Sequence, residues 1–293
     1  MSAGRRLRVA TCRPLPEPDR DEAPLMAALA AAGVAAELVP WHEGAAWQGD
    51  APVLLRSTWD YALRLDAFLA WSERIAAQAP LLNPVDIVRR NAHKRYLVEL
   101  AERGVPAVPT LLLEAGAAPP EAAELRERIA GLAGDGVVVK PAVGAGSRET
   151  RRFGPGQVDS AAAAALALLA REDVLVQPFL PAVDGRGERS LVWIDGEITH
   201  AIRKSPRWAD GVEQVTGPVE IAPAERELAA AALAPFADRA LYGRVDTVLG
   251  SGGEPVVMEL ELIEPSLFFD LGAGSLDRLV AGLDRRLRAA GAW

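Results

Sequence analysis

The chain has 293 residues, half of them hydrophobic and a quarter charged, which suits a globular protein of two or three small domains. Asp and Glu number 40 against 32 Lys and Arg, a net charge of -8 that argues against non-specific nucleic-acid or anionic-membrane binding. Cys12 is the only cysteine, which rules out an intramolecular disulfide, and His42, His93 and His200 lack zinc spacing.

In chain order, "LRVA" reads as a strand and residues 22–32 as a helix ended by Gly33. The prolines after the basic N-terminus leave too short an apolar stretch for a signal peptide. "AAELVPW" and "APVLLR" are further short strands, so residues 1–90 read as an α/β domain with a parallel sheet. "DAFLAWSERIAAQ" is a second helix, and Asn83-Pro84 a turn. A helix carrying Lys94 follows, and Gly104-Val105-Pro106 is a hinge out of the first domain. Residues 91–180 form the next unit: a helical stretch at 119–133, a strand ending at Lys140, a small-residue loop from Gly144 to Ser147, an alanine-rich helix and the strand "DVLVQPFL". The apolar run "AAAAALALLA" is far below membrane-spanning length, and a cytoplasmic protein is expected. Residues 181–293 hold a hairpin turning at Asp195-Gly196, a helix, a second hairpin and a terminal amphipathic helix.

The second hairpin, "GRVDTVLGSGGEPVVMELEL", raises a question. Strand alternation puts Glu259 and Glu261 on one face and Met258, Leu260 and Leu262 on the other. With Gly252-Gly253 as a two-residue turn, Asp246 lies opposite Glu259 and Arg244 opposite Glu261, while a bulge would move this register by one. Like charges facing across a sheet repel, and a hard divalent cation relieves them. Taken alone, the pattern is equally a solvated face on which Arg244 neutralises Glu261.

Other polar positions stand near apolar strand ends. Lys140 closes "VVVK", and the loop with Gly144, Gly146 and Ser147 offers backbone N–H groups and a hydroxyl suited to phosphate, without Walker A spacing. Gln177, Phe179 and Leu180 lie in "VQPFLP", where an adenine can be flanked. Glu188 can accept ribose hydroxyls, and Arg203 and Lys204 end a strand with paired positive charge. Each has an ordinary alternative as a surface or core residue. In "VLLRSTWDY", Arg56, Ser57, Thr58, Trp59, Asp60 and Tyr61 follow a strand directly, where open parallel sheets bind ligands. Arg56 there suits a carboxylate and Asp60 an amino group. A packed Trp and Tyr with a helix cap is the alternative.

The order of these pieces resembles the ATP-grasp superfamily over roughly Lys94 to Phe269, with residues 1–90 matching its pre-ATP-grasp domain. The resemblance implies an α/β (α+β) fold in which a parallel-sheet domain precedes a two-subdomain ATP-grasp unit. It also implies ATP and Mg²⁺ as cofactors. Lys94 and Lys140 then contact the ATP phosphates, Gln177 to Leu180 form the adenine linker, and Glu188 binds ribose. Arg203 or Lys204 binds phosphate, Arg244 steadies the transferred group, and Asp246 and Glu259 ligate magnesium. Glu261 replaces the usual asparagine of a Glu-x-Asn pair, and Arg90-Asn91 replaces a usual Trp-Asn.

"RSTWDY", "HKRYLVELAERGVPAVPT" and "MELELIEPSLFF" are similar to the small ATP-grasp group that includes the D-cycloserine-forming cyclising ligase. This implies an ATP-dependent ligase of antibiotic biosynthesis that phosphorylates a small amino-acid-type substrate, forms ADP and phosphate and cyclises the product. Glu264 and Ser266 of the closing "IEPSLFF" then lie beside the metal site, where they can touch substrate, a strand-to-loop exit before an apolar plug being the alternative, and a homodimer is expected by analogy. Two other readings stand beside it: a ligase joining two small molecules, and a nucleotide-binding module without turnover.

Overall fold

The computed structural model describes residues 5–44, 47–118, 120–205 and 214–293. The N-terminal sheet is built from β1 (Arg6–Thr11), β2 (Ala35–Pro40), β3 (Val53–Leu55) and β4 (Leu81–Leu82), with helices α1 (Glu22–Ala31) and α2 (Leu65–Ala76) as crossovers. The four strands are all parallel, in the order β2-β1-β3-β4. Parallel strands are buried on both faces and therefore read as continuous apolar runs, as in "VLL" of β3.

The segment expected to be one helix carrying Lys94 is two, α3 (Val85–Asn91) and α4 (Tyr96–Glu102). Lys94 occupies the break, where its N–H donates to the Ala142 carbonyl and the Arg95 N–H to the His93 ring. A second sheet follows from β5 (Leu111–Leu113), β6 (Val137–Pro141), β7 (Arg151–Phe153) and β8 (Val174–Pro178), antiparallel in the order β5-β8-β6-β7. Helices α5 (Ala122–Leu132) and α6 (Val158–Leu169) cover it through Leu125, Ile129 and a face of small alanines. The short helix α7 (Ala182–Gly185) leads out.

The third sheet has β9 (Glu188–Ile194), β10 (Glu197–Ser205), β11 (Gln214–Thr216), β12 (Tyr242–Leu249) and β13 (Pro255–Glu261), in the order β11-β10-β9-β12-β13. Asp195 and Gly196 both have positive φ, so the β9–β10 connection is the expected two-residue turn. Helix α8 (Pro223–Leu233) packs on this sheet together with α4 and the start of the supposed hinge. That hinge is pinned: Val257 donates to the Pro106 carbonyl, and Val108 to that of Val257. The last helix, α9 (Ser275–Ala289), returns to the N-terminal domain, where Leu279, Leu283 and Leu287 share a core with Leu25 and Leu29 of α1. No helix among the described residues is long and apolar enough to cross a membrane.

The β12–β13 hairpin departs from its expected turn but keeps its expected register. Gly250 and Glu254 close a three-residue loop with Gly253 at φ 85°, which shifts the pairing so that Leu249 faces Pro255. A bulge at Met258 then shifts it back, and Asp246 faces Glu259 while Arg244 faces Glu261. The bulge also overturns one expectation. Met258 packs with Val108, Leu180, Val183, Val248 and Val256, whereas Leu260 and Leu262 go to the α8 side.

Candidate active site

Two sheets and the α3–α4 break deliver charge to one place. β13 brings Glu259 and Glu261, and β12 brings Arg244 and Asp246. β9 and β10 pair Glu188 with Lys204, and β6 brings Lys140. Lys94 bridges the two antiparallel sheets: its Nζ donates to the Gly144 carbonyl at 2.8 Å and lies 2.5 Å from Glu259 Oε1.

Arg244 is the centre of a tight network. Its Nε and Nη2 each donate to Asp246 at 2.8 Å, Nη2 also reaches Glu261 at 2.5 Å, and Nη1 reaches the Ser266 carbonyl at 3.3 Å. Lys204 Nζ donates to Asp246 at 2.7 Å and also pairs with Glu188. Asp246 is fully buried, so this pairing is obligatory: an unpaired charge there would be strongly destabilising.

The balance of charge sets the protonation. Five acids (Glu188, Asp246, Glu259, Glu261 and Glu264) meet four cations (Lys94, Lys140, Lys204 and Arg244). Burial opposes ionisation of Asp246, but Arg244 and Lys204 overcome it and hold its carboxyl well below the usual range. Glu259 is likewise held down to about 2, against burial, by Lys94 and Lys140. The excess charge falls on the others. Burial, then Asp246, raises Glu188 to about 8, against Lys204; burial also raises Glu261 to about 7 although Arg244 opposes it. Burial and the charge of Glu261 push Glu264 well above the carboxylate range. Lys140 is shifted down by burial, aided by Lys94, and forms no ion pair among the described residues.

This is a donor set for a hard cation. Oxygens of Asp246, Glu259 and Glu261 all lie within 4.8 Å of one another, with no nitrogen or sulfur ligand among them, and the surplus acid is what a divalent ion would offset. The residues present therefore fit Mg²⁺. Val108, Leu180, Val183, Val248 and Val256 form a buried apolar patch against which the half-buried Met258 packs.

Several expected site residues are placed elsewhere. Arg203 alternates with Lys204 along β10 and so points away from the cluster, donating to the carbonyls of Gly185 and Arg186. The Phe179 ring lies under the Arg152 guanidinium, 3.4 Å away, rather than in the apolar patch, and the Gln177 amide donates to Thr110. Asp60 accepts from Trp41 and Arg64 within the first domain, and Ser57 bonds Thr11, so neither faces the cluster. The hydroxyl of buried Thr58 has no partner among the described residues. Gly146 and Ser147 are exposed at the loop tip, where both have positive φ.

Arg56 and Trp59 of "RSTWDY" hold the segment after β13. Trp59 donates to the Glu264 carbonyl and Arg56 to that of Pro265, both at 3.0 Å. Tyr61 is buried, and burial and then the charge of Glu264 keep its hydroxyl protonated. Glu264 is 8% exposed, and its carboxylate has no hydrogen-bond partner among the described residues.

Sequence reasoning missed the residues that hold the backbone of β12 and β13. Asn83 donates to the carbonyls of Tyr242 and Leu262 at 2.8 Å and accepts from Leu241. Asn91, noted only as a departure from a family pattern, donates to Leu260 and accepts from Leu262, bracketing Glu261. The one available signal was a pair of amides at positions flanked by helix-core residues Ile87 and Val88.

Comparison with known proteins yields a consistent set. Residues 7–83 match the family model for the N-terminal domain of the D-cycloserine synthetase DcsG. The cycloserine biosynthesis protein DcsG of Streptomyces lavendulae is 34% identical, over 92% of this chain and 95% of its own. The crystal structure of the D-cycloserine synthetase DcsG superposes with a TM-score of 0.86 at 33% identity, covering 96% of this chain and 99% of that one. The ATP-grasp ligase PsnB, in complex with a minimal precursor, Mg and ADP, superposes at 0.62 with 18% identity, over 95% and 98% of the two chains, and so shares the fold.

Proposed function

This chain belongs to the DcsG family of ATP-grasp ligases, enzymes that use ATP, and from that premise we propose that it activates the carboxylate of a small amino-acid derivative with Mg-ATP and closes it to a cyclic product of the D-cycloserine type. The observation that carries the reading is the meeting of Lys94 and Lys140, from separate elements, with Asp246, Glu259 and Glu261.

In this reading Asp246, Glu259 and Glu261 would hold Mg²⁺, which supplies charge neutralisation at the nucleotide phosphates. Lys94 and Lys140 draw negative charge from the group in transfer, and the small-residue loop at Gly144 covers it. Arg244, fixed on both sides by carboxylates, stays charged and oriented toward the acceptor. The substrate carboxylate oxygen attacks the γ-phosphorus and ADP leaves. A nitrogen at the other end of the same molecule then attacks the acyl phosphate: a C–N bond forms, the C–O bond to phosphate breaks, and the nitrogen gives up a proton. Chemistry of this type needs positioning, not a protein nucleophile. Glu264 and Tyr61 line the substrate side.

The test supplies Mg-ATP and one amino-acid derivative at a time, beginning with the aminooxy acid formed by opening the D-cycloserine ring with water. Phosphate release with a product lighter by one water supports cyclisation. A product formed only with a second amine would replace it with intermolecular ligation, and no ADP release across D- and L-serine derivatives would refute the reading.

A further inference from the structure

Asp21 stands at the N-cap position of α1, where a carboxylate ordinarily accepts amides of its own helix. It makes no such cap. Its carboxylate, 1% exposed, instead accepts the N–H groups of Leu267, Phe268 and Phe269 at 2.5, 3.1 and 3.0 Å, some 250 residues away. Three successive amides converge on one carboxylate because Phe268 adopts the left-handed conformation at φ 49°, which curls the backbone into an anion-binding nest. A side chain disfavours that conformation, so it persists where surrounding contacts hold it. Arg56 closes the arrangement from the other side, with Nη2 on both Asp21 and the Pro265 carbonyl.

The nest lies directly against the site. The Phe268 ring faces the Arg244 guanidinium, 5.8 Å from ring centre to Cζ, and Arg244 also holds the Ser266 carbonyl. Every residue from Glu264 to Phe269 thus has a backbone group tied down, by Trp59, Arg56, Arg244 or Asp21. What this rigid segment presents is the unpartnered Glu264 carboxylate.

We propose that Asp21 is a positioning residue of the active site, acting through the amides of residues 267–269 to set Glu264 and Arg244 for the substrate, and that Arg56 completes this clamp rather than binding substrate. The inference rests on the functional reading above for its substrate side only. In that reading nucleotide and metal belong to Lys94, Lys140, Asp246, Glu259 and Glu261, to which Asp21 and Arg56 make no hydrogen bond among the described residues; Arg244 of β12 links the clamp to that set.

The experiment compares wild type with Asp21→Asn, whose single carbonyl oxygen cannot serve three amides and Arg56. Calorimetry reads the affinity for D-cycloserine in the presence of Mg-ADP, and separately for Mg-AMPPNP. Hydrogen exchange reads the amides of 267–269 in the free protein. The expected result is at least a tenfold loss of D-cycloserine affinity, Mg-AMPPNP affinity within twofold of wild type, and at least tenfold faster exchange confined to 267–269. Equal loss of both affinities, or unchanged exchange, would overturn the positioning role. If wild type fails to bind D-cycloserine, the substrate reading fails, while the exchange result still decides the clamp. Should Asp21→Asn not fold, Arg56→Lys, which keeps the charge but cannot span Asp21 and Pro265 together, is expected to give the same split at smaller size; no split there refutes the proposal.

Discussion

Glu261 ties metal binding to pH. Its carboxyl is raised to about 7 because it is buried beside Asp246 and Glu259, and the Arg244 contact offsets only part of this. A carboxylate must lose its proton to ligate a metal, so binding expels that proton. With a value near 7, Glu261 is about nine-tenths protonated at pH 6 and about one-tenth at pH 8. Titrating Mg²⁺ with AMPPNP in two buffers of different ionisation enthalpy counts the protons released. The nucleotide releases protons too, but equally in any variant, so the difference between wild type and Glu261→Gln isolates this residue. That difference is expected to be about 0.9 proton at pH 6 and about 0.1 at pH 8. The Gln variant should still bind Mg²⁺ through Asp246 and Glu259, more weakly at pH 8. No difference in proton release at pH 6 would refute either the raised carboxyl or its role as a ligand. The same shift makes the metal-free protein less stable with rising pH: the neutral form is favoured, so its contribution is complete below about 4.5 and is lost through about 7.

Alternation along β10 gives a paired test: Lys204→Met should weaken Mg-AMPPNP binding at least tenfold, by removing a cation that in this reading faces the nucleotide phosphates, while Arg203→Ala stays within twofold. A large effect from Arg203→Ala would refute the facing assigned here. Asn83→Ala leaves the Leu241 amide and the Tyr242 and Leu262 carbonyls without their buried partner and should cost about 3–5 kcal/mol in urea unfolding. A loss below about 1 kcal/mol would mean that water replaces the side chain. His200 is shifted down by burial, so its neutral form is favoured and its contribution is present above 6.5 and lost as pH falls. His200→Gln should flatten the acid side of the stability profile, and an unchanged profile would show that other groups control it.

The parallel N-terminal sheet was legible because apolar runs and crossover helices leave a periodic trace, and the β9–β10 turn because Asp-Gly suits positive φ. The metal trio was legible for a less secure reason. The expected two-residue turn was one residue short, and the bulge at Met258 cancelled the error. Met258 itself could not be placed, since a bulge has no signature in an otherwise regular "VVMELEL". Lys94 was found on the resemblance to a family pattern, but the helix break that aims it depends on a contact with Ala142 nearly fifty positions away.

What the sequence determined by itself is therefore local and periodic: which segments are strands or helices, which face of a strand is charged, and that Asp246, Glu259 and Glu261 share one. Alternation and turn chemistry act between near neighbours, so they are written in the chain. Which of two adjacent basic residues enters the site was decided only in three dimensions, as was the commitment of Arg56 and Asp21 to a backbone segment instead of a ligand. The commitments of Arg56 and Asp21 depend on hydrogen bonds across more than two hundred residues, and the Lys204 contact with Asp246 spans 42. A buried carboxylate or guanidinium accepts whatever partner the assembled sheets bring within reach, because leaving it unpaired away from water costs more than any local preference.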